Sequence, residues 1–244
     1  MKKVVSVLIV LVLAALVVSA PVMAAIEVEG DVYAGVYDKY LWRGFDLSGS
    51  EPVAQGGVDL TSGKYTLSYW TNIQLSSDSG EGYKSGEATE NDLIIDYSRD
   101  ITDLVSISVG NIYYMLDSLD DTNELYLSVG LSTILEPSLT VYYDWDEAQE
   151  NGLYYTASIG HSFDLMENLS MSLGALVGYN EESDYAVGDY SDWHNYELSA
   201  SAEYAITDQL SVSPSFLYSS GISDDAKTAI DTEMVGGLTA TFTF

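Results

Sequence analysis

The chain contains no cysteine, only 4 prolines, and 8 lysines and arginines against 38 aspartates and glutamates. Each scarcity excludes something. Without cysteine there is no disulfide framework, no thiol-linked lipid anchor and no thiolate metal site. A formal net charge of −30 leaves too few cations to neutralise phosphates, so nucleic acid is not an expected partner. Setting aside Lys2 and Lys3 leaves 38 acidic against 6 basic residues, or −32. Beyond Val18 no apolar run approaches the ~20 residues of a spanning helix. Any membrane crossing therefore falls to strands.

The one long apolar run stands at the start. Lys2 and Lys3 precede Val4 to Val18, and small residues follow at Ala20, Ala24 and Ala25. A charged region, an apolar region and a small-residue cleavage site together predict a secretory signal peptide over residues 1–24, with Val22 and Ala24 at the −3 and −1 positions. Residues 25–244 carry no linker-like stretch and read as one domain, within the ~200–250 residues usual for a single barrel. The 20 tyrosines and 20 glycines suit headgroup-level rings and crowded strands.

From Val28 onward the side chains alternate with a period of two, as strands require. Val32, Ala34 and Val36 oppose Asp31, Tyr33 and Tyr37 in a first strand read as running to about Phe45. Tyr65, Leu67, Tyr69, Thr71 and Ile73 oppose Thr66, Ser68, Trp70 and Asn72. Leu93, Ile95 and Tyr97 oppose Asp92, Asp96 and Ser98. The pattern recurs to the end of the chain without a helical interruption and predicts about 12 strands, with 10 and 14 as the neighbouring counts. Connections around Ser62, Asp100, Glu136, Glu167 and Thr207 are short, and those between them are mostly longer and acidic. Short turns alternating with long loops are the arrangement of outer-membrane barrels. The predicted fold class is all-β, a transmembrane antiparallel up-and-down β-barrel whose last strand pairs with its first.

The final stretch, Glu233 to Phe244, places Met234, Leu238, Ala240, Phe242 and Phe244 on one face. It resembles the C-terminal signature of Gram-negative outer-membrane barrels. That resemblance implies recognition of Phe242 and Phe244 by the barrel-insertion machinery, residence in the cell outer membrane of a Gram-negative bacterium, and contact with membrane lipids and lipopolysaccharide. Near the other end, Tyr40-Leu-Trp-Arg-Gly-Phe-Asp-Leu-Ser48 is followed by Glu51-Pro-Val-Ala-Gln-Gly-Gly-Val-Asp59. An aromatic-Arg-Gly run coupled to Pro and Gln-Gly-Gly resembles the first hairpin of the TorF porin family. The match covers about the first fifth of residues 25–244, and it implies a channel-forming barrel with no catalytic residues.

Expected channel-lining residues are Lys39, Arg43, Gln55, Asp59, Lys64, Trp70, Asp96, Asp144 and Glu197. A hairpin centred on Ser48 and Gly49 would set Arg43 opposite Gln55 and Lys39 opposite Asp59, a cross-strand ion pair. Inward Tyr33, Tyr37, Trp70, Tyr142 and Tyr154 either stack solute rings or fill and close the bore. Acidic groups such as Asp117, Asp120 and Asp121, or Asp224, Asp225 and Asp231, fall in outer loops. They form a solvated, repulsive surface, with divalent cations as possible ligands. His161 and His194 are read as lipid-interface histidines; neither has a same-face hydroxyl two residues away except the phenol of Tyr196, so no Ser-His constellation forms locally and no cofactor is expected. The expectation is a passive channel for small solutes, cation-preferring through its acidic interior. The alternative is a structural or assembly barrel with a closed bore and adhesive loops.

Overall fold

The computed structural model describes residues 27–77, 84–148, 152–183, 185 and 187–244. The expected signal segment, 1–24, lies outside them. In chain order the elements are β1 (Glu29–Tyr37), β2 (Leu41–Trp42), β3 (Phe45–Asp46), β4 (Val53–Ser62), β5 (Tyr65–Gln74), β6 (Ala88–Asp100) and β7 (Val105–Leu116). There follow β8 (Thr122–Leu131), β9 (Ser138–Asp144), β10 (Leu153–Met166), β11 (Leu169–Asn180), β12 (Asp192–Ala205), β13 (Leu210–Gly221), α1 (Asp224–Ala229) and β14 (Glu233–Thr243). All strands except β2 and β3 form one closed antiparallel barrel of 12 strands, each paired with its sequence neighbours.

Closure rests on β1 and β14, which pair from Asp31↔Thr243 to Tyr37↔Gly237. The seam extends one step further. Gly30 and Phe244 exchange both backbone hydrogen bonds, at 3.0 and 2.9 Å. In hydrocarbon each unmade backbone bond costs several kcal/mol, and a closed sheet leaves none at an edge.

The distribution of side chains is that of a water-soluble protein turned inside out. Val36, Leu67, Ile95, Leu127, Leu139, Leu173, Leu198 and Leu238 are all exposed on the outer wall. The fully buried side chains are mostly polar: His194, Gln74, Asn72, Asn180, Asn195, Asp144, Ser48 and Ser219. So large an apolar exterior needs lipid around it. The alternation read from the sequence is thus the partition between two solvents.

Three features depart from the sequence reading. First, the opening strand stops at Tyr37 rather than Phe45. Tyr37 is the last residue of β1 paired with both neighbours, to Val53 of β4 and Gly237 of β14. The chain then leaves the wall and makes a separate hairpin, with Leu41↔Asp46 and Trp42↔Phe45 paired. Second, a short helix, α1, interrupts the β13–β14 loop. The Ser223 hydroxyl caps it by accepting from the Ala226 amide at 3.1 Å, with Asp224 and Asp225 in its first turn. Third, β12 carries a bulge. Val177 pairs with Tyr196 but Tyr179 pairs with Trp193, so Gly178 faces two residues, His194 and Asn195. The extra residue turns both inward, and His194 becomes fully buried instead of facing lipid.

Candidate functional site

The β2–β3 hairpin lies inside the barrel. Its tip is the Arg43-Gly44 pair, with φ of 48° and 87°, so both central residues occupy the left-handed region that a two-residue hairpin turn demands. Glycine meets this at the second position. A β-carbon on Gly44 would also come within 2.6 Å of Ile230 Cδ1, from the segment after α1. The loop-end helix and the hairpin tip are therefore packed as one layer.

The neck of the hairpin is tied by one carboxylate. Asp46 Oδ1 accepts from the Ser48 amide and hydroxyl at 2.9 and 2.8 Å, and Oδ2 accepts from the Ser50 amide and hydroxyl at 2.7 and 2.8 Å. The Ser48 hydroxyl accepts from the Tyr40 amide at 3.0 Å, which closes the neck. Burial opposes the ionised form of Asp46, but the bonds from Ser48 and Ser50, with Lys39 nearby, outweigh it and hold its pKa below the usual carboxylate value. Lys39 donates to Glu233 of β14 at 2.6 Å.

The tip is held harder. Arg43 makes two parallel bonds to Glu124 of β8, at 2.9 and 2.8 Å, and the Tyr114 hydroxyl donates to the same carboxylate at 3.0 Å. The guanidinium carbon lies 4.4, 4.9 and 4.3 Å from the ring centroids of Trp42, Tyr142 and Tyr154. A planar cation with five donors suits a carboxylate fork framed by aromatic faces, and lysine would lose the fork. Behind it, the Arg43 carbonyl bonds His194 Nε2 at 2.7 Å, and the Tyr190 hydroxyl meets the other ring nitrogen. Gly178 leaves space for the Tyr154 hydroxyl, which donates to Asn195 at 2.7 Å. The bulge thus supplies both the histidine that grips the hairpin and the asparagine that fixes its aromatic wall.

Through these contacts the hairpin reaches β7, β8, β9, β10, β12 and β14 and divides the bore. A cavity of about 660 Å³ lies between it and the long loops, lined by Trp42, Phe45, Tyr114 and Leu119 among others. Two smaller spaces, of about 310 and 290 Å³, flank the hairpin. Another of about 360 Å³ opens near the short turns, beside Asp31, Asp59 and Glu203.

The residues expected to line the channel take different places. Asp59 and Trp70 border the 290 Å³ space and Gln55 borders the 310 Å³ space, where Gln55 donates to Asn72 at 3.2 Å. Asp96 accepts from Tyr126 at 2.5 Å and from the hydroxyls of Ser98 and Ser108. Asp144 is buried and acts on the loop: both oxygens face the Thr122 hydroxyl, and Oδ1 accepts the amides of Asp146 and Glu147. Glu197 accepts from Asn195 at 2.9 Å. Lys64 is exposed in the two-residue turn after β4, off the inner wall. The expected cross-strand pairs do not form. Gln55 faces Gly35 and Asp59 faces Asp31, because the chain folds inward after Tyr37 instead of continuing β1, and Arg43 and Lys39 find Glu124 and Glu233 instead. Phe242 and Phe244 lie exposed on the outer face with stacked rings. Among the described residues no three carboxylates or imidazoles converge as a metal site.

A closed 12-strand antiparallel barrel with an apolar exterior is a fold shared with solved outer-membrane porins. The NanC porin superposes with a TM-score of 0.55 at 12% identity, covering 87% of this chain and 98% of that one. The KdgM porin gives 0.52 at 10% identity, over 88% and 99%. An outer membrane channel from Pseudomonas putida F1 gives 0.55 at 12% identity, over 93% and 97%. At these identities the likeness is one of fold. No curated protein sequence matches the chain. Residues 23–242 match the family described as "Bacterial protein of unknown function (Gcw_chp)", and the chain belongs to that family.

Two outcomes follow from the hairpin's attachments. Arg43→Ala leaves Glu124 buried without its cation, a change that costs about 3–5 kcal/mol. The urea midpoint of protein folded in phospholipid vesicles should fall accordingly, and Arg43→Ala/Glu124→Gln should recover part of the loss. The second outcome concerns pH. Because the pKa of Asp46 is lowered in the folded state, its contribution is complete above the unfolded value of about 3.9 and disappears as pH falls through the lower folded value. Tryptophan emission should report loosening of the hairpin in that acid range, and Asp46→Asn, already lacking the charge, should lose that part of the pH dependence.

Proposed function

We propose that the chain is a passive outer-membrane channel for small solutes, that it prefers cations, and that the β2–β3 hairpin is its constriction. The observation that carries the reading is a charge imbalance inside the bore. Asp59, Glu90, Asp92, Asp96 and Glu197 lie on inward-facing positions of the wall, while the basic side chains of the hairpin, Lys39 and Arg43, are already paired with Glu233 and Glu124. The other basic residues described, Lys64, Lys84, Arg99 and Lys227, are exposed. A narrow low-dielectric passage with fixed negative charge concentrates cations and repels anions. The shared fold of solved porins supports a channel, and the hairpin's resemblance to the TorF porin family supports it separately. One solved KdgM porin is described in complex with disordered oligogalacturonate, a polyanion. The acidic bore of this chain favours solutes of the opposite sign.

In this reading the segment 1–24 directs export, Phe242 and Phe244 engage the insertion machinery, and the outer wall meets membrane lipid and lipopolysaccharide. No enzymatic role is proposed: both ring nitrogens of the buried His194 are engaged, one by the Tyr190 phenol and the other by the Arg43 carbonyl. The second reading, a structural barrel with a closed bore, is favoured by the number of strands the hairpin touches. Planar-bilayer recording separates the two. The expected result is stepwise conductance with a reversal potential, in a potassium chloride gradient, of the sign for potassium. Larger steps are expected for Arg43→Ala/Glu124→Ala, which frees the constriction. Absence of steps would establish the closed barrel, and a reversal potential of the sign for chloride would remove the charge argument.

A further inference from the structure

Below the hairpin, the space of about 290 Å³ has an unusual lining for a water-filled bore. Its walls are aromatic. Tyr40 of the hairpin neck packs on Trp70 of β5 with ring centroids 5.4 Å apart, and Trp42 meets Tyr114 of β7 edge-on at 6.4 Å. Its polar groups are mainly carboxylates: Glu90 and Asp92 of β6 and Asp59 of β4. The pairing register sets Asp92 between the two aromatic walls, opposite Trp70 on one side and Tyr114 on the other. The nearest guanidinium, on Arg43, gives its bonds to Glu124 instead.

Asp92 shows what the cavity lacks. It is 8% exposed, its Oδ1 is buried with no donor among the described residues, and the group beside its carboxyl is that of Glu90, a second acceptor when ionised. A buried carboxylate oxygen with no donor is costly, and native proteins rarely leave one so unless a ligand or solvent supplies the proton. Aromatic faces attract a cation whose methylene or methyl groups displace water, and a carboxylate attracts one that carries N–H donors. A bare or hydrated metal ion would gain little from the rings, and an anion would meet three carboxylates. The volume sits at the lower end of the range for small-ligand sites.

We propose that this cavity binds a small alkylammonium ion, its N–H donating to Asp92 Oδ1 and its alkyl portion lying against Trp70, Tyr40 and Trp42. The inference deepens the channel reading, on which it rests only for access of the solute to the bore. It names a site where a class of organic cation dwells beneath the constriction.

The test is titration of detergent-purified full chain with n-butylammonium chloride, followed by tryptophan emission, with sodium chloride at equal ionic strength as reference. Trp42 and Trp70 border the site, whereas Trp145 and Trp193 are exposed away from it. The expected result is a saturable change absent with sodium, weakened at least about tenfold in Asp92→Asn, a loss of ~1.4 kcal/mol. Trp70→Phe, a milder change, should keep binding but remove much of the signal, which covers the case in which Asp92→Asn does not fold. Tetramethylammonium, lacking N–H, should bind more weakly than n-butylammonium. No saturable response in the wild type, equal affinity of folded Asp92→Asn, or equal affinity for tetramethylammonium would overturn the proposal. Conductance without binding would sink this site and leave the channel; binding without conductance would sink the channel and leave the site.

Discussion

Every other feature depends on a sheet that satisfies its own backbone by closing. In lipid the open edges of β1 and β14 would expose a row of unpaired amides and carbonyls, and the cost of each is several kcal/mol. Their pairing, carried to Gly30 and Phe244, removes the edge. Closure then sets the scale of the interior. With 12 strands the bore is narrow enough for the single connection between β1 and β4 to reach across it and touch the opposite wall.

What crosses the bore is charged, and that determines how it is held. A cation brought into a confined aromatic space is stable only with a partner of good geometry, and Glu124 supplies two parallel bonds while the Tyr114 hydroxyl donates a third to the same carboxylate. The pair consumes the positive charge of the hairpin tip. Lys39 is consumed in the same way by Glu233. The wall carboxylates are therefore left to set the electrostatics of the bore in the proposed channel, where the hairpin would contribute shape without reversing the sign. The ties of Asp46 to Ser48 and Ser50 make the neck self-supporting, so the hairpin hangs from its own loop as well as from the wall.

Much of this was legible in the sequence. Alternation of Val, Leu and Ile with Ser, Thr and Asp is imposed by lipid on one side and water on the other, and no tertiary detail is needed to see it. The length of the connections was legible for the same reason. The hairpin was not, because its turn is Arg43-Gly44 rather than the Asn-Gly or Asp-Gly pairs that signal a two-residue turn, and Ser48-Gly49 nearby offered a more ordinary place to reverse. The partnership of Arg43 with Glu124 spans most of the first half of the barrel and leaves no local trace. His194 was assigned to the wrong face because a bulge shifts parity by one residue, and only Gly178 opposite it hints at the irregularity. The helix α1 did have a signal, the Ser223-Asp224-Asp225 cap, hidden in a loop already explained by its acidity.

The central claim is that the Arg43-Gly44 tip lies within the barrel against β12. The chain has no cysteine to confuse the result. Arg43→Cys/Glu124→Gln, folded into lipid vesicles, should keep its single thiol from a bulky aqueous maleimide that rapidly labels Lys64→Cys in the exposed turn after β4. A thiol at position 43 labelled as fast as one at position 64, in a protein otherwise folded, would contradict the account.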